Sequence, residues 1–294
     1  MSPHLPLRGR NAESINGRRH SQPATVSCYL RRVPMRREEG HPKMHPKEAV
    51  TMKRVLAAMA LLVAAPLGAQ ELWLDDPRPL AQAAQHLEEK FGWIVTYEDM
   101  PILHQLDMQD VTSLYSTRGG KRLIIAKPLP FGVSVDDATA KQDPFAEVME
   151  LVHQYNVSGN PGQFHVLRAS GPAHASTFHI VPDHVRNEKG ETAPYHPLLD
   201  TRISLPPGKR SAYDVIWEIN KEIEAASGIA VEIGSVPVSL FIHSVVEGGA
   251  KDEAARDVLQ RVLVETGQPL SWRVLAGPDE PKMVMLNVHY VSLK

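Results

Sequence analysis

Histidine is the reactive side chain present in excess: the 294-residue chain has 14 of them and a single cysteine, Cys28. Three recur at intervals of five, His174, His179 and His184. Imidazole nitrogens are ordinary ligands for zinc and other transition ions, so the series raises the question of a metal site. The spacing argues against one, because residues five apart on an extended strand are separated by ~16 Å and would share an ion only if the chain folded back. His153 lies in a helical pattern and His243 in a strand-like one, and both suit edge or partly buried positions. Carboxylates occur as adjacent pairs, Asp75 and Asp76, Glu88 and Glu89, Asp136 and Asp137. An acid and a base acting on one bond must converge, whereas helix neighbours point about 100° apart and strand neighbours point to opposite faces. These pairs read as solvated charge, as do Glu218, Glu222 and Glu224 with Lys221. There is no Gly-x-Ser-x-Gly elbow, no HExxH, no GxxxxGK[ST] loop and no cysteine pair. The expected catalytic, cofactor-binding and metal-ligating residues are therefore none, and no cofactor is expected.

The elements that would position any site are repeated. Leu80–Val95 lies over Ile216–Val231 at an offset of 136, pairing Leu80 with Ile216, Ala83 with Ile219, Leu87 with Ile223 and Gly92 with Gly228. A second block sets Phe145, Val148, Met149 and Val152 over Ala255, Val258, Leu259 and Val262 at an offset of 110, which leaves 26 extra residues in the first copy. Repetition on this scale indicates a duplicated small domain. Each copy opens with a short alternating strand, Glu71–Leu74 or Arg202–Leu205. An amphipathic helix follows and ends at Gly92 or Gly228, where a left-handed C-cap is expected. Strands follow at Trp93–Tyr97 and Ile229–Ile233, and Ser239–Val246 is expected to be a further strand. A second helix comes next, capped in the first copy by Asp143 with Pro144 in its first turn. Paired strands close each copy, Phe164–Ala169 with Thr177–Val181 and Ser271–Leu275 with Met283–Val288. The expected fold class is α+β, two tandem βαββαββ sandwich modules at residues 70–185 and 201–294, joined by a linker at 186–200. The extra residues of the first copy are expected to form a surface hairpin centred on Arg122–Val135. Its mixture of Leu123, Ile124, Ile125 and Phe131 with Lys121, Arg122 and Lys127 suits contact with an acidic partner. Trp73, Trp93, Trp217 and Trp272 read as core or edge anchors, and an exposed one would indicate a partner surface.

Charge divides the chain. Residues 1–54 carry twelve Lys or Arg against four Glu, while the remainder carries 20 basic and 30 acidic residues. A body of that sign repels phosphate backbones, which argues against nucleic-acid binding. Met52-Lys53-Arg54 precedes the uncharged run Val55–Ala69, and small residues close it. A basic start, a short apolar stretch and a small-residue end predict a signal peptide at residues 52–69, since fifteen residues fall short of the ~20 a membrane span needs. Export to the periplasm or outside the cell follows, with no transmembrane segment in the mature chain. Residues 1–51 are polar, aperiodic and expected to be disordered, and they read as a start placed too far upstream. The Asn156-Val157-Ser158 sequon would matter only in a eukaryotic secretory pathway.

Within this frame Ala255–Val274 (ARDVLQRVLVETGQPLSWRV) shows an amphipathic helix, a Thr-Gly turn and a strand, and Ile216–Ile233 supplies a helix, a glycine turn and a strand. Residues 201–290, and more weakly 71–182, resemble the short N-terminal domain of secretins and TonB-dependent receptors. The resemblance implies a periplasmic interaction module. Two function classes follow. One is an exported, non-enzymatic protein that binds an envelope protein through a sheet edge or the inserted hairpin, in the setting of a secretion or TonB-type transport system that the resemblance suggests. The other is a hydrolase or metal-dependent enzyme whose site lies between the modules, which a pocket lined by three or more histidines and carboxylates would favour.

Overall fold

The computed structural model describes residues 69–115, 122–127, 129–169 and 176–294. The leader, the expected signal peptide up to residue 68, Lys121 and His174 lie outside the described residues. The first half begins with β1 (Ala69–Leu74), α1 (Pro79–Phe91) and β2 (Ile94–Glu98). Helix α1 buries Leu80, Ala83, Ala84 and Leu87, the i, i+3, i+4, i+7 stripe of an amphipathic helix. It stops at Gly92, whose φ of +73° is the left-handed region that a side chain rarely occupies. Then come β3 (Met108–Asp110), α2 (Thr112–Tyr115), β4 (Ile124–Ala126) and β5 (Phe131–Asp136). Helices α3 (Asp137–Gln142) and α4 (Pro144–Val157) follow, capped by Asp136 and Asp143, whose side chains accept from Ala138 N–H and Ala146 N–H. Strands β6 (Gln163–Arg168), β7 (Thr177–Arg186) and β8 (Thr192–Pro194) end this half.

The second half runs β9 (Arg202–Leu205), β10 (Lys209–Ser211), α5 (Ala212–Ser227), β11 (Ala230–Ile233), α6 (Val238–His243), β12 (Val245–Glu247), β13 (Ala250–Ala254), α7 (Ala255–Glu265), β14 (Leu270–Ala276) and β15 (Met283–Tyr290). The chain is thus α+β. The same pairings occur in both halves. An antiparallel ribbon joins β1 to β5, and another joins β9 to β13. Strand β2 lies parallel to β7, which is antiparallel to β6; β11 lies parallel to β15, which is antiparallel to β14. The two triplets merge into one sheet of order β11-β15-β14-β2-β7-β6, with β8 beside β7. The joint is the parallel pair β14 and β2, Arg273 opposite Tyr97 and Val274 opposite Glu98.

Each half has its own core, and the helices of the two halves cover opposite faces of the sheet. Val95 and Tyr97 of β2 belong to the core under α1 and α4. Glu98, on the other face of β2, bonds to Arg256 of α7. Leu270, Trp272 and Val274 of β14 belong to the core under α5 and α7, whereas Leu275 packs against the first core. Residues 186–200 connect the halves as packed structure. Strand β8 pairs with β7, and Leu198 and Leu199 of the 3-10 turn Leu198–Asp200 lie in the second core.

Three expectations change. Ser239–Val246 is the helix α6 followed by the short strand β12. An apolar run of this length has no decisive period. Within α6 Phe241 alone is buried, Ser244 N–H returns to Leu240 C=O, and His243 Nδ1 lies 2.6 Å from Ser239 C=O. The stretch Arg122–Val135 is not one hairpin. Strand β4 pairs with β3, while β5 pairs with β1 and buries Phe131, Val133 and Val135 in the first core. The register of the second block also shifts. Met149 is 49% exposed, although the offset of 110 sets it over the buried Leu259. Burial agrees when Leu151, Val152 and Tyr155 stand against Val258, Leu259 and Val262. A slip of about one helical turn preserves much of the apolar pattern, so the sequence alone could not detect it.

Candidate functional site

The joint between β2 and β14 gathers five of the buried charged residues, Glu88, Glu98, Asp99, Arg256 and Arg273, into three clusters. In the first, Glu88 of α1 lies 3% exposed. Its Oε1 accepts from Val95 N–H at 3.1 Å, and its Oε2 meets Arg273 Nη2 and His289 Nε2, both at 2.8 Å. Arg273 Nη1 also donates to Val95 C=O at 2.7 Å and to Ser271 Oγ at 3.0 Å. Burial pushes the Glu88 carboxyl up, but His289 and Arg273 together hold it below the usual glutamate range. The expectation that Glu88 is solvated is therefore corrected. It sits on the side of α1 that faces the second half, and a cation from β14 compensates it there, while its neighbour Glu89 accepts from Gln85 on the exposed face.

The second cluster is centred on Glu98, which is fully buried. One of its oxygens accepts from Leu199 N–H at 3.1 Å and the other from Arg256 Nη2 at 2.8 Å. Arg256 also bonds Asp200. Burial outweighs Arg256 here and raises the Glu98 carboxyl above its ordinary value. In the third, Asp99 accepts from Arg78 Nε at 2.6 Å, Tyr97 Oη at 2.8 Å and Ala276 N–H at 3.2 Å, and Arg78 bonds Ala276 C=O. Burial, then Asp99, raises the Tyr97 hydroxyl well above its ordinary value. Each carboxylate is thus held by protein donors, and the Tyr97 phenol beside Asp99 keeps its proton at neutral pH. This is an arrangement that fixes two halves together.

A cavity of about 210 Å³ lies beside the third cluster, between the ends of β2, β14 and β15. Its walls include Pro101, Leu103, Leu198, Ile229, Val274 and Val284, with Asp99 as its carboxylate and Tyr195 as its phenol. Burial, followed by Glu98 and Asp99, raises the Tyr195 hydroxyl. No histidine lines it. Among the described residues no group of three His, Cys, Asp or Glu could hold a metal ion, and no helix is long and apolar enough to cross a membrane.

The residues singled out in the sequence fall as follows. His179 is buried, with Nδ1 at 2.7 Å from Thr96 Oγ1 and its ring stacked on Trp272. His184, further along the same strand beyond a β-bulge, lies 3.1 Å from Asp183. His153 is exposed. Asp136 caps α3, and Asp137 bonds Lys90 at 2.5 Å. Trp93 and Trp272 are core residues. Trp73 is 68% exposed with its ring over Gly132, and Trp217 is 52% exposed beside Lys221. Arg122 bonds Asp110 at 2.7 Å. The Asn156 amide is occupied, since it accepts from Phe164 N–H at 2.9 Å and donates to Phe164 C=O at 2.8 Å. Arg78, Glu98, Asp99, Arg256 and Arg273 escaped the sequence reading. A signal existed in Arg273, a lone charge inside an otherwise apolar strand.

No protein-family model matches the chain, and neither a curated protein nor a solved structure matches it significantly.

Proposed function

We propose that the chain is an exported, non-enzymatic interaction protein of the bacterial cell envelope, built from two tandem βαββαββ modules similar to the secretin and TonB short N-terminal domain. The observation that carries the binding reading is the placement of exposed leucines. Leu106, Leu114 and Leu123 are 72%, 73% and 40% exposed; Leu106 lies on the 3-10 turn Gln105–Asp107 that leads into β3, Leu114 on α2 and Leu123 just before β4, around a β3-α2-β4 segment that the first half has and the second lacks. Large apolar side chains grouped on an added surface element mark a contact site. The saturated carboxylates at the joint support the non-enzymatic half of the reading, the run Val55–Ala69 supports export, and the recurring strand pairings support duplication. The partner is an envelope protein, met by this ribbon or by a sheet edge.

A photo-crosslinking residue at Leu114 in cells producing the full chain tests the contact. A discrete crosslinked envelope protein is expected, and the double variant Leu106→Ser, Leu123→Ser should lose it while remaining folded. The same crosslink at full yield in that double variant would refute the ribbon as the contact.

A further inference from the structure

The two halves treat one edge differently. In the first half the outer edge of β2 is filled by β14, and Glu88 reaches over that edge from the last turn of α1 to hold Arg273. The matching edge in the second half belongs to β11, which pairs with β15 alone among the described residues. Ala230 N–H bonds Lys282 C=O and Gly234 N–H bonds Leu286 C=O, so by alternation the N–H and C=O of Val231 and Ile233 point outward. The residue matching Glu88 is Glu224, 136 positions on: Gly92 N–H bonds Glu88 C=O, and Gly228 N–H bonds Glu224 C=O. The Glu88 side chain is 4% exposed over its filled edge, whereas that of Glu224 is 41% exposed over the open one. Glu224 holds Lys221 at 2.7 Å across solvent, and Glu232 of β11 adds negative charge that Lys221 senses.

We propose that the β11 edge together with Glu224 is a docking site for an extended segment of a partner protein. The segment runs parallel to β11 and carries an arginine or lysine between apolar residues, in the way Leu270–Ala276 (LSWRVLA) fills the β2 edge. This rests on the binding reading above and names a second contact. Backbone pairing with Val231 and Ile233 would supply affinity and the basic residue specificity. The bound cation would face Glu224, and the C-terminal carbonyls of α5 favour it further. A second copy of this chain is the less favoured occupant. The registers Val95 to Phe178 and Val231 to Val284 set Pro182 against Val288, and hence Phe164 of β6 against Trp272 of β14. The backbone groups of Phe164 are already taken by Asn156, and His165 stands where Arg273 does.

The test uses the full chain and a fluorescein-labelled peptide of sequence LSWRVLA, with a second peptide, LSWEVLA, as its charge-reversed form. Saturable binding of the first peptide is expected by fluorescence anisotropy, about tenfold weaker for Glu224→Arg. The second peptide should prefer Glu224→Arg to the wild-type protein. Ile233→Pro removes an outward N–H without touching the ladder to β15, and should abolish binding with the far-UV circular dichroism unchanged. Equal affinity of both peptides for the wild-type chain would overturn the proposal. So would self-association, seen by sedimentation without peptide, that Ile233→Pro removes, since the occupant would then be a second copy. The Leu114 crosslink is independent of β11, so its loss and the loss of peptide binding are separate outcomes.

Discussion

Arg273→Ala should separate a clamp from a decoration. Removing the guanidinium deletes the 2.8 Å contact with Glu88, the 2.7 Å bond to Val95 C=O and the 3.0 Å bond to Ser271. Glu88 stays buried and retains Val95 N–H and His289 as donors. Taking one partner from a buried pair costs about 3–5 kcal/mol, and the two surviving donors place this case near the lower end. Urea unfolding at pH 7 measures it. Replacing both groups, Glu88→Leu with Arg273→Met, should cost much less than the sum of the single changes, because no charge is then stranded.

The sign of the pH dependence follows from the same contacts. The folded Glu88 carboxyl titrates below the ordinary 4.5, so its contribution is present above that value and fades as pH falls through the folded one. Without Arg273 burial dominates and the carboxyl titrates higher. The difference between variant and wild type should therefore shrink on acidification. A cost below about 1 kcal/mol at pH 7, or a cost constant from neutral to acid, would refute the clamp as described.

Two glycines that look alike in sequence should respond differently. Gly228→Ala should cost about 1–2 kcal/mol for its left-handed backbone alone, since a Cβ there meets nothing within 4 Å. Gly92→Ala should cost more, because its Cβ would lie 2.6 Å from the Lys294 backbone nitrogen; thermal unfolding compares the two, and removing residues 292–294 should narrow the gap. Asn156→Ala should cost about 1–3 kcal/mol by stripping Phe164 of its partners, and light scattering should show aggregation through the exposed β6 edge.

The four long helices, α1, α4, α5 and α7, and most strands were legible because local rules set them. The α1 stripe, the Asp143 cap and the glycine C-caps each depend on residues within one or two turns. The long-range joint was not legible. Nothing near Glu88 in sequence announces that Arg273 and His289 will meet it 185 and 201 residues later. Strand β5 departs from the expected hairpin for a related reason: Phe131, Val133 and Val135 alternate as a strand should, but alternation does not say that the partner is β1 and not the neighbouring β4. The exposed leucines of the added ribbon and the open edge of β11 depend on what covers each surface, which only the packed chain defines.

The order of the sheet explains why its two outer edges, each open among the described residues, differ. In each triplet a first strand lies parallel to a middle strand, and a third lies antiparallel beyond it; the third strand of one triplet receives the first strand of the other. Such a head-to-tail arrangement does not close on itself, so further copies could add at β6 and at β11 without limit. At β6 that growth is blocked, because Asn156 occupies Phe164 and the cationic Arg168 ends the strand over Phe145. At β11 the backbone stays open, and Glu224 and Glu232 stand beside it where charge discourages indiscriminate pairing. An edge guarded by acids repels most strands and accepts a basic one, so the feature that protects β11 from self-association is also the feature that would select its partner.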